Sequence, residues 1–212
     1  MSLMQSARVR AIGVIIAAAV LIACAQFPLG FGQTPTPTPL SLVTGTIPPD
    51  GYGSTIQCQS SAQLTQHIHA NMQIYFNGKN EPIPAGVGIE TDSSGDAISF
   101  CWLHTHQYDG VIHIESPYPS AKYMVGDFLA VWDMPVFQGR WLPEGPPLIT
   151  STSFFGQPLN ATHKLTIYVQ GKLFTGGPKT LILQSGENIW LEYGTPLVRP
   201  TSYDFAGNGL SP

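Results

Sequence analysis

With 212 residues, the chain has room for one compact domain, or two small ones, once non-globular segments are set aside. Only 10% of the residues are charged while 22 are glycine and 19 are proline, a balance that fits a turn-rich, mainly β protein. The net charge of −4 comes without any basic cluster to neutralise phosphates, which removes the electrostatic case for a nucleic-acid partner.

Arg8 and Arg10 form a small positive region ahead of Ala11 to Ala23, an apolar run shorter than a comfortable membrane span. Residues 1–24 therefore read as a targeting segment and not as part of the fold. Within it, Leu21-Ile22-Ala23-Cys24 resembles the bacterial lipobox, whose cysteine is lipidated and becomes the new N-terminus; Cys24 is then a lipid anchor in the membrane. Two other readings stay open. Ala23-Cys24-Ala25 also fits the small-x-small rule of ordinary signal cleavage, and a run extended through Phe27-Pro28-Leu29 would serve as an uncleaved membrane anchor. All three agree on export, to the outer face of the cytoplasmic membrane or the cell surface.

Residues 25–46 read as a linker. In Gln33-Thr34-Pro35-Thr36-Pro37-Thr38-Pro39 alternate residues lack an amide hydrogen, so neither helix nor sheet can form and the segment is an extended spacer. A single domain is expected over 47–200, with a flexible tail over 201–212. Cys58 and Cys101 are left as an even pair in an oxidising compartment, which predicts a disulfide. The competing reading makes Cys101 a metal ligand in Cys101-x-x-His104-x-His106. Strand parity speaks against it, since Cys101, Leu103 and Thr105 would share one face and Trp102, His104 and His106 the other.

The clearest strand is His67 to Phe76, where Ile68, Ala70, Met72, Ile74 and Phe76 alternate with His67, His69, Asn71, Gln73 and Tyr75. Asn77-Gly78 supplies a hairpin turn, and Pro82 and Pro84 restrict the return to an edge or irregular segment. Phe100 to Gln107 and Val111 to Ser116 read as a second pair of strands around Asp109-Gly110. A two-residue turn there pairs His106 with His113 and His104 with Glu115; a four-residue loop shifts the pairing by two and keeps the same residues on one face. Ser120 to Asp133 predicts one helix, capped by Ser120 and stopped by Pro135, with Gly126 marking close packing and Asp127 and Asp133 solvated. Met72-Gln73-Ile74-Tyr75-Phe76-Asn77-Gly78-Lys79 is echoed by Leu165-Thr166-Ile167-Tyr168-Val169-Gln170-Gly171-Lys172, and Thr180 to Leu183 and Asn188 to Tyr193 read as further strands. The expected fold class is α+β, mostly β: antiparallel hairpins in two weakly repeated units packed with one short helix.

Five of the six histidines fall into two groups, His67 and His69, then His104, His106 and His113. Period-2 strands put each group on one face, a metal-site pattern with these five as candidate ligands and Glu115 as a carboxylate that orients a histidine from behind. His163 falls out of register with the site. Nitrogen-rich, sulfur-poor ligation favours copper(II) or zinc. Iron(II) on His104, His106 and Glu115 is a further option, and Met72, Met124 and Met134 read as core side chains rather than copper ligands.

The run His67-Ile68-His69, then Cys101-x-x-His104-Thr105-His106-x-x-Asp109-Gly110-Val111-Ile112-His113-Ile114-Glu115-Ser116-Pro117, resembles a group of exported bacterial and archaeal proteins without established biochemistry. The resemblance covers roughly residues 55 to 195 and implies no substrate or reaction. The chain also resembles a cupin in carrying His-x-His on a strand, but the glycine-framed cupin motifs are absent and no cupin chemistry is carried over. Three functional classes follow: a membrane-tethered protein that binds metal for acquisition, buffering or sensing; a metal-dependent hydrolase or oxidoreductase with Glu115 in proton transfer; and an adhesion or scaffold module with incidental histidines.

Overall fold

The computed structural model describes residues 56–138 and 148–211. The segment expected to target the chain for export, with Cys24, and the expected Thr/Pro spacer lie outside the described residues. Among the described residues no helix is long and apolar enough to cross a membrane.

In chain order the elements are β1 (Cys58–Gln59), β2 (Gln66–Phe76), β3 (Lys79–Glu81), β4 (Ile89–Thr91), β5 (Ala97–Cys101), β6 (Leu103–His104), β7 (Val111–Ser116), α1 (Val125–Trp132), α2 (Pro135–Gln138), β8 (Ser153–Phe154), β9 (Gln157–Pro158), β10 (Leu165–Val169), β11 (Lys172–Phe174) and β12 (Glu187–Tyr193). The class is α+β and mostly β, as the hydrophobic alternation implies. The main sheet has the order β11-β10-β12-β2-β7-β6, with β3 also on β2, and a smaller sheet has the order β1-β5-β4.

β2 organises the main sheet because it is long enough to serve three partners. Its 70–76 stretch pairs in parallel with β12, while its other edge is shared between β7 at 66–71 and β3 at 74–76. The two halves of the sequence repeat form the same hairpin: Asn77 and Gly78 have φ of 50° and 80°, Gln170 and Gly171 of 50° and 74°. Paired positive φ values make the tight reversal that matches strand twist. The units are not joined as simple antiparallel neighbours, however; β12 lies between β10 and β2 and is parallel to β2.

Ala70, Met72 and Ile74 of β2, Ile112 and Ile114 of β7, Leu103 of β6, and Ile189 and Leu191 of β12 are fully buried, together with Val125, Phe128, Leu129 and Val131 of α1. Burying each such side chain is worth roughly 1.5–3 kcal/mol, so this face of the sheet supplies the main driving force for the fold. The disulfide joins Cys58 to Cys101, which stand directly opposite each other on β1 and β5. With a sequence separation of 43, closure of that loop contributes about 3–4 kcal/mol on the chain-entropy view.

Several expectations are corrected. The strand expected over Phe100 to Gln107 breaks at Trp102, where the chain passes from the small sheet to the main one. Trp102 N donates to Gln57 O while its carbonyl accepts from Glu115 N, so it is bonded to both sides. Its indole is buried against Tyr118 and Tyr123. The β6–β7 register is Leu103↔Ile114 and His104↔His113, the pairing expected for a four-residue loop and not for the two-residue Asp109-Gly110 turn. Thr105 leaves the ladder because its amide donates to Val87 O and its hydroxyl to Pro84 O.

Helix α1 starts at Val125, not at Ser120. Before it, Val125 N donates to Leu181 O and Leu183 N to Tyr123 O, an extended bridge that wins over helix propensity. Asp127 rather than Ser120 caps the helix, accepting from Met124 N at 2.7 Å, and Asp133 accepts from Leu148 N, so neither aspartate is merely solvated. The strand expected at Thr180 to Leu183 is a short 3-10 turn at Pro178–Thr180 followed by a single bridge between Met124 and Ile182. Gly126 packs closely, as expected: a Cβ there would meet Lys179 Cα at 2.8 Å.

The expected flexible tail is instead a strap over the polar face of the sheet. Val198 N donates to Glu192, Gln73 donates to Thr201 O, Tyr203 N donates to Asn188, and Phe205 is buried. The polar residues of β2 and β12 face hydrogen-bonding backbone, which an alternating pattern cannot distinguish from water.

Candidate metal centre

The sheet register builds the centre. β7 lies between β2 and β6, and its His113 stands directly opposite His69 on one side and His104 on the other, so three imidazoles lie abreast across three strands. Two residues along the same face, His67 of β2 pairs with Glu115 of β7. His106 comes from the loop after β6, its ring 4.5 Å from that of His113 and 4.9 Å from that of His104. The structure therefore brings together all five expected histidines and Glu115. Glu115 is partnered across the ladder by His67 rather than His104.

Ligating atoms converge in two overlapping groups, one of His104, His106, His113 and Glu115, the other of His67, His69 and His113, each with its donor atoms within 4.8 Å of one another. His104 Nε2 lies 3.2 Å from His106 Nε2 and 3.9 Å from Glu115 Oε1. That carboxylate oxygen is also 3.2 Å from His67 Nε2 and 3.7 Å from His113 Nδ1. Cys101 is bound in the disulfide, and Met72 and Met134 belong to the apolar core. His163 is exposed and stacks on Tyr193, outside both groups.

Two imidazoles are fixed in orientation by backbone carbonyls. His104 Nδ1 is 2.8 Å from Cys101 O, and His69 Nδ1 is 2.7 Å from Ser211 O. A carbonyl only accepts, so each Nδ1 carries the proton and each neutral ring presents an Nε2 lone pair to the cluster. His69 Nε2 is buried with no hydrogen-bond partner, and the buried His113 Nδ1 has only the longer 3.7 Å contact with Glu115 Oε1. Leaving such atoms unpaired costs on the order of 1–3 kcal/mol each.

Burial keeps these rings neutral. It lowers the pKa of His104 to about 4, against the smaller opposing pull of Cys101 O and Glu115, and it lowers those of His69 and His106 as well. For Glu115 burial acts upward, but the imidazoles around it, His113 first and then His104 and His67, hold it below the ordinary carboxylate range. Neutral imidazoles beside an ionised carboxylate form a donor set suited to a divalent first-row ion.

Beside the cluster lies a cleft of about 360 Å³ lined by His106, His113, Gln107, Asp109, Tyr203, Asn208 and Leu210. Tyr203 donates its hydroxyl to Asp109 at 2.9 Å, and burial followed by that carboxylate pushes its pKa up to about 12. Sequence reasoning missed Ser211, Tyr203 and Asp109 as parts of this surround. The first acts through a backbone carbonyl, which leaves no side-chain signature. The other two are brought together across 94 residues of sequence by the strap.

No protein-family profile matches the chain, and neither the curated proteins nor the solved structures contain a significant match. The functional reading therefore rests on the geometry of the centre.

Proposed function

We propose that this is an extracytoplasmic, membrane-tethered protein that binds copper(II) or zinc through its histidine cluster, for metal acquisition, buffering or sensing. The observation that carries this reading is the pair His104 and His69, both buried members of the cluster, both with Nδ1 tied to a backbone carbonyl so that Nε2 is left as the nitrogen with the free lone pair. Metal-binding histidines are held by just such contacts on their other nitrogen. Copper leads the divalent series for nitrogen ligands, and zinc accepts the same donors. The Cys58–Cys101 disulfide supports an oxidising compartment, in keeping with the lipobox-like segment ending at Cys24.

Elemental analysis of the chain, purified without a histidine tag from an export-competent host, tests the proposal beside a His104→Ala, His106→Ala double variant. Near-stoichiometric copper or zinc that disappears in the variant is the expected result. Absence of metal from both, after loading and desalting, would overturn it and leave a tethered β module with a histidine seam.

The cleft next to His106 and His113 favours a second reading, in which the bound ion activates water or dioxygen and Glu115 moves a proton. On that reading Glu115→Gln keeps the metal and loses turnover. Unchanged turnover on a substrate of the wild-type protein removes Glu115 from the mechanism.

A further inference from the structure

The six donors do not form one coordination sphere. They fall into a four-donor group and a three-donor group, and the only residue common to both is His113. With bonds near 2 Å, an ion holds donors no more than about 4 Å apart, so a single ion can satisfy one group and leaves the other group's remaining imidazoles without a partner. The geometry points to a two-ion centre, resting on the metal-binding reading above, in which His113 bridges two copper or zinc ions.

Three features of the site carry this. His113 is the middle strand's contribution to the row of three, with His69 on one side at 4.6 Å and His104 on the other at 5.4 Å between ring centres. Neither flanking ring can swing across to serve the other group, because each is tied to its own carbonyl, Ser211 O for His69 and Cys101 O for His104. His113 is not held by a backbone carbonyl; its buried Nδ1 meets only Glu115 Oε1, at 3.7 Å, a member of the four-donor group. Of the three abreast, the central ring is the one that belongs to both groups.

The four-donor position takes His104, His106, His113 and Glu115, while His67, His69 and His113 form the other. Three imidazoles leave that second ion a coordination position for water or an exogenous ligand. A ring that bridges through both nitrogens does so as imidazolate, so binding of the second ion releases one ring proton to solvent. Glu115 holds the two halves in register, with Oε1 3.2 Å from His67 Nε2 and 3.9 Å from His104 Nε2.

Copper(II) chloride titrated into the metal-free full chain, purified untagged in mild detergent and followed by electron paramagnetic resonance and by bound copper after desalting, tests the inference. The expected result is two equivalents retained, with the signal rising through the first and falling through the second as the bridged pair couples. His67→Ala, at a ring whose side chain is 42% exposed, is expected to fold normally by thermal unfolding, to hold one equivalent, and to recover an uncoupled signal. His113→Gln is expected to abolish coupling. One equivalent in the wild-type chain, unaltered by His67→Ala, overturns the two-ion centre and leaves the metal-binding proposal standing. Two equivalents without coupling overturn the bridge, and no retained copper, with none retained in a parallel zinc chloride titration, overturns the metal-binding proposal itself.

Discussion

His104 carries the pH response of the centre. Its unfolded-state pKa is near the ordinary 6.5 and burial lowers the folded value to about 4, so between these values the unfolded chain binds a proton that the folded chain refuses. Stability of the metal-free protein should be flat above pH 6.5, fall as the pH drops towards 4, and level out below as far as this residue is concerned. His69 and His106, also lowered by burial, act in the same direction. The drop from His104 alone is on the order of 3 kcal/mol. Glu115, held below its usual 4.5, adds a further loss as the pH falls below that value. His104→Asn retains a donor for Cys101 O without a group that titrates in this range; denaturant midpoints measured from pH 7.5 to 4 should therefore show a shallower slope than the wild type. An equal slope would show that His104 is not the source. Of the five ligand candidates, His67 and His69 are legible at this scale from alternation along β2, and His104, His106 and His113 from their spacing around the Asp109-Gly110 turn. The carbonyls that orient His69 and His104 are not, since any residue type offers one.

At the scale of elements, what the sequence made legible were those whose partners are close in the chain. Both Asn77-Gly78 and Gln170-Gly171 turns close hairpins as expected, since the positive φ of a tight turn is a local demand. The register around His104 needed distant information: Thr105 is drawn out of the ladder by Val87 and Pro84, and the strand breaks at Trp102 because two sheets compete for it. Helix α1 shows the same contest, its first expected turn being spent on the bridge from Tyr123 and Val125 to Leu181 and Leu183. Gly126 gives this a testable form. In an isolated helix alanine is better than glycine by about 1 kcal/mol, yet here an added Cβ would stand 2.8 Å from Lys179 Cα, a backbone atom that cannot yield without moving the 3-10 turn. Gly126→Ala should therefore destabilise the protein, by about 1–3 kcal/mol for an overpacked contact, despite its better propensity. A rise in melting temperature would show that the turn at Pro178–Thr180 gives way freely.

For the whole molecule, the C-terminal strap decides whether the centre is a surface patch or a lined site. Residues 198–211 cross β12 and β2 on the face opposite the apolar core, tie to Asp109 through Tyr203, and end with Ser211 O on His69. The sequence reads as a loose end because the segment carries no strand or helix period; its order comes from hydrogen bonds to Asn188, Glu192 and Gln73, whose partners no local pattern identifies. A chain ended at Asn208 keeps Tyr203 and the buried Phe205 but loses the carbonyl that holds His69. The apolar core does not depend on the removed residues, so the melting temperature of the metal-free chain should change little. Removing an outer partner of a metal-bound histidine commonly costs 10–100-fold in affinity, and a loss of that size is expected for the ion held by His67, His69 and His113. The ion held by His104, His106, His113 and Glu115 should be nearly unaffected, because His104 takes its orientation from Cys101 O, which the disulfide-linked strand supplies. Competition titration with a chelator separates the two. Equal weakening of both would mean that the strap acts by general stabilisation of the sheet, and no weakening of either would mean that His69 needs no partner to present Nε2.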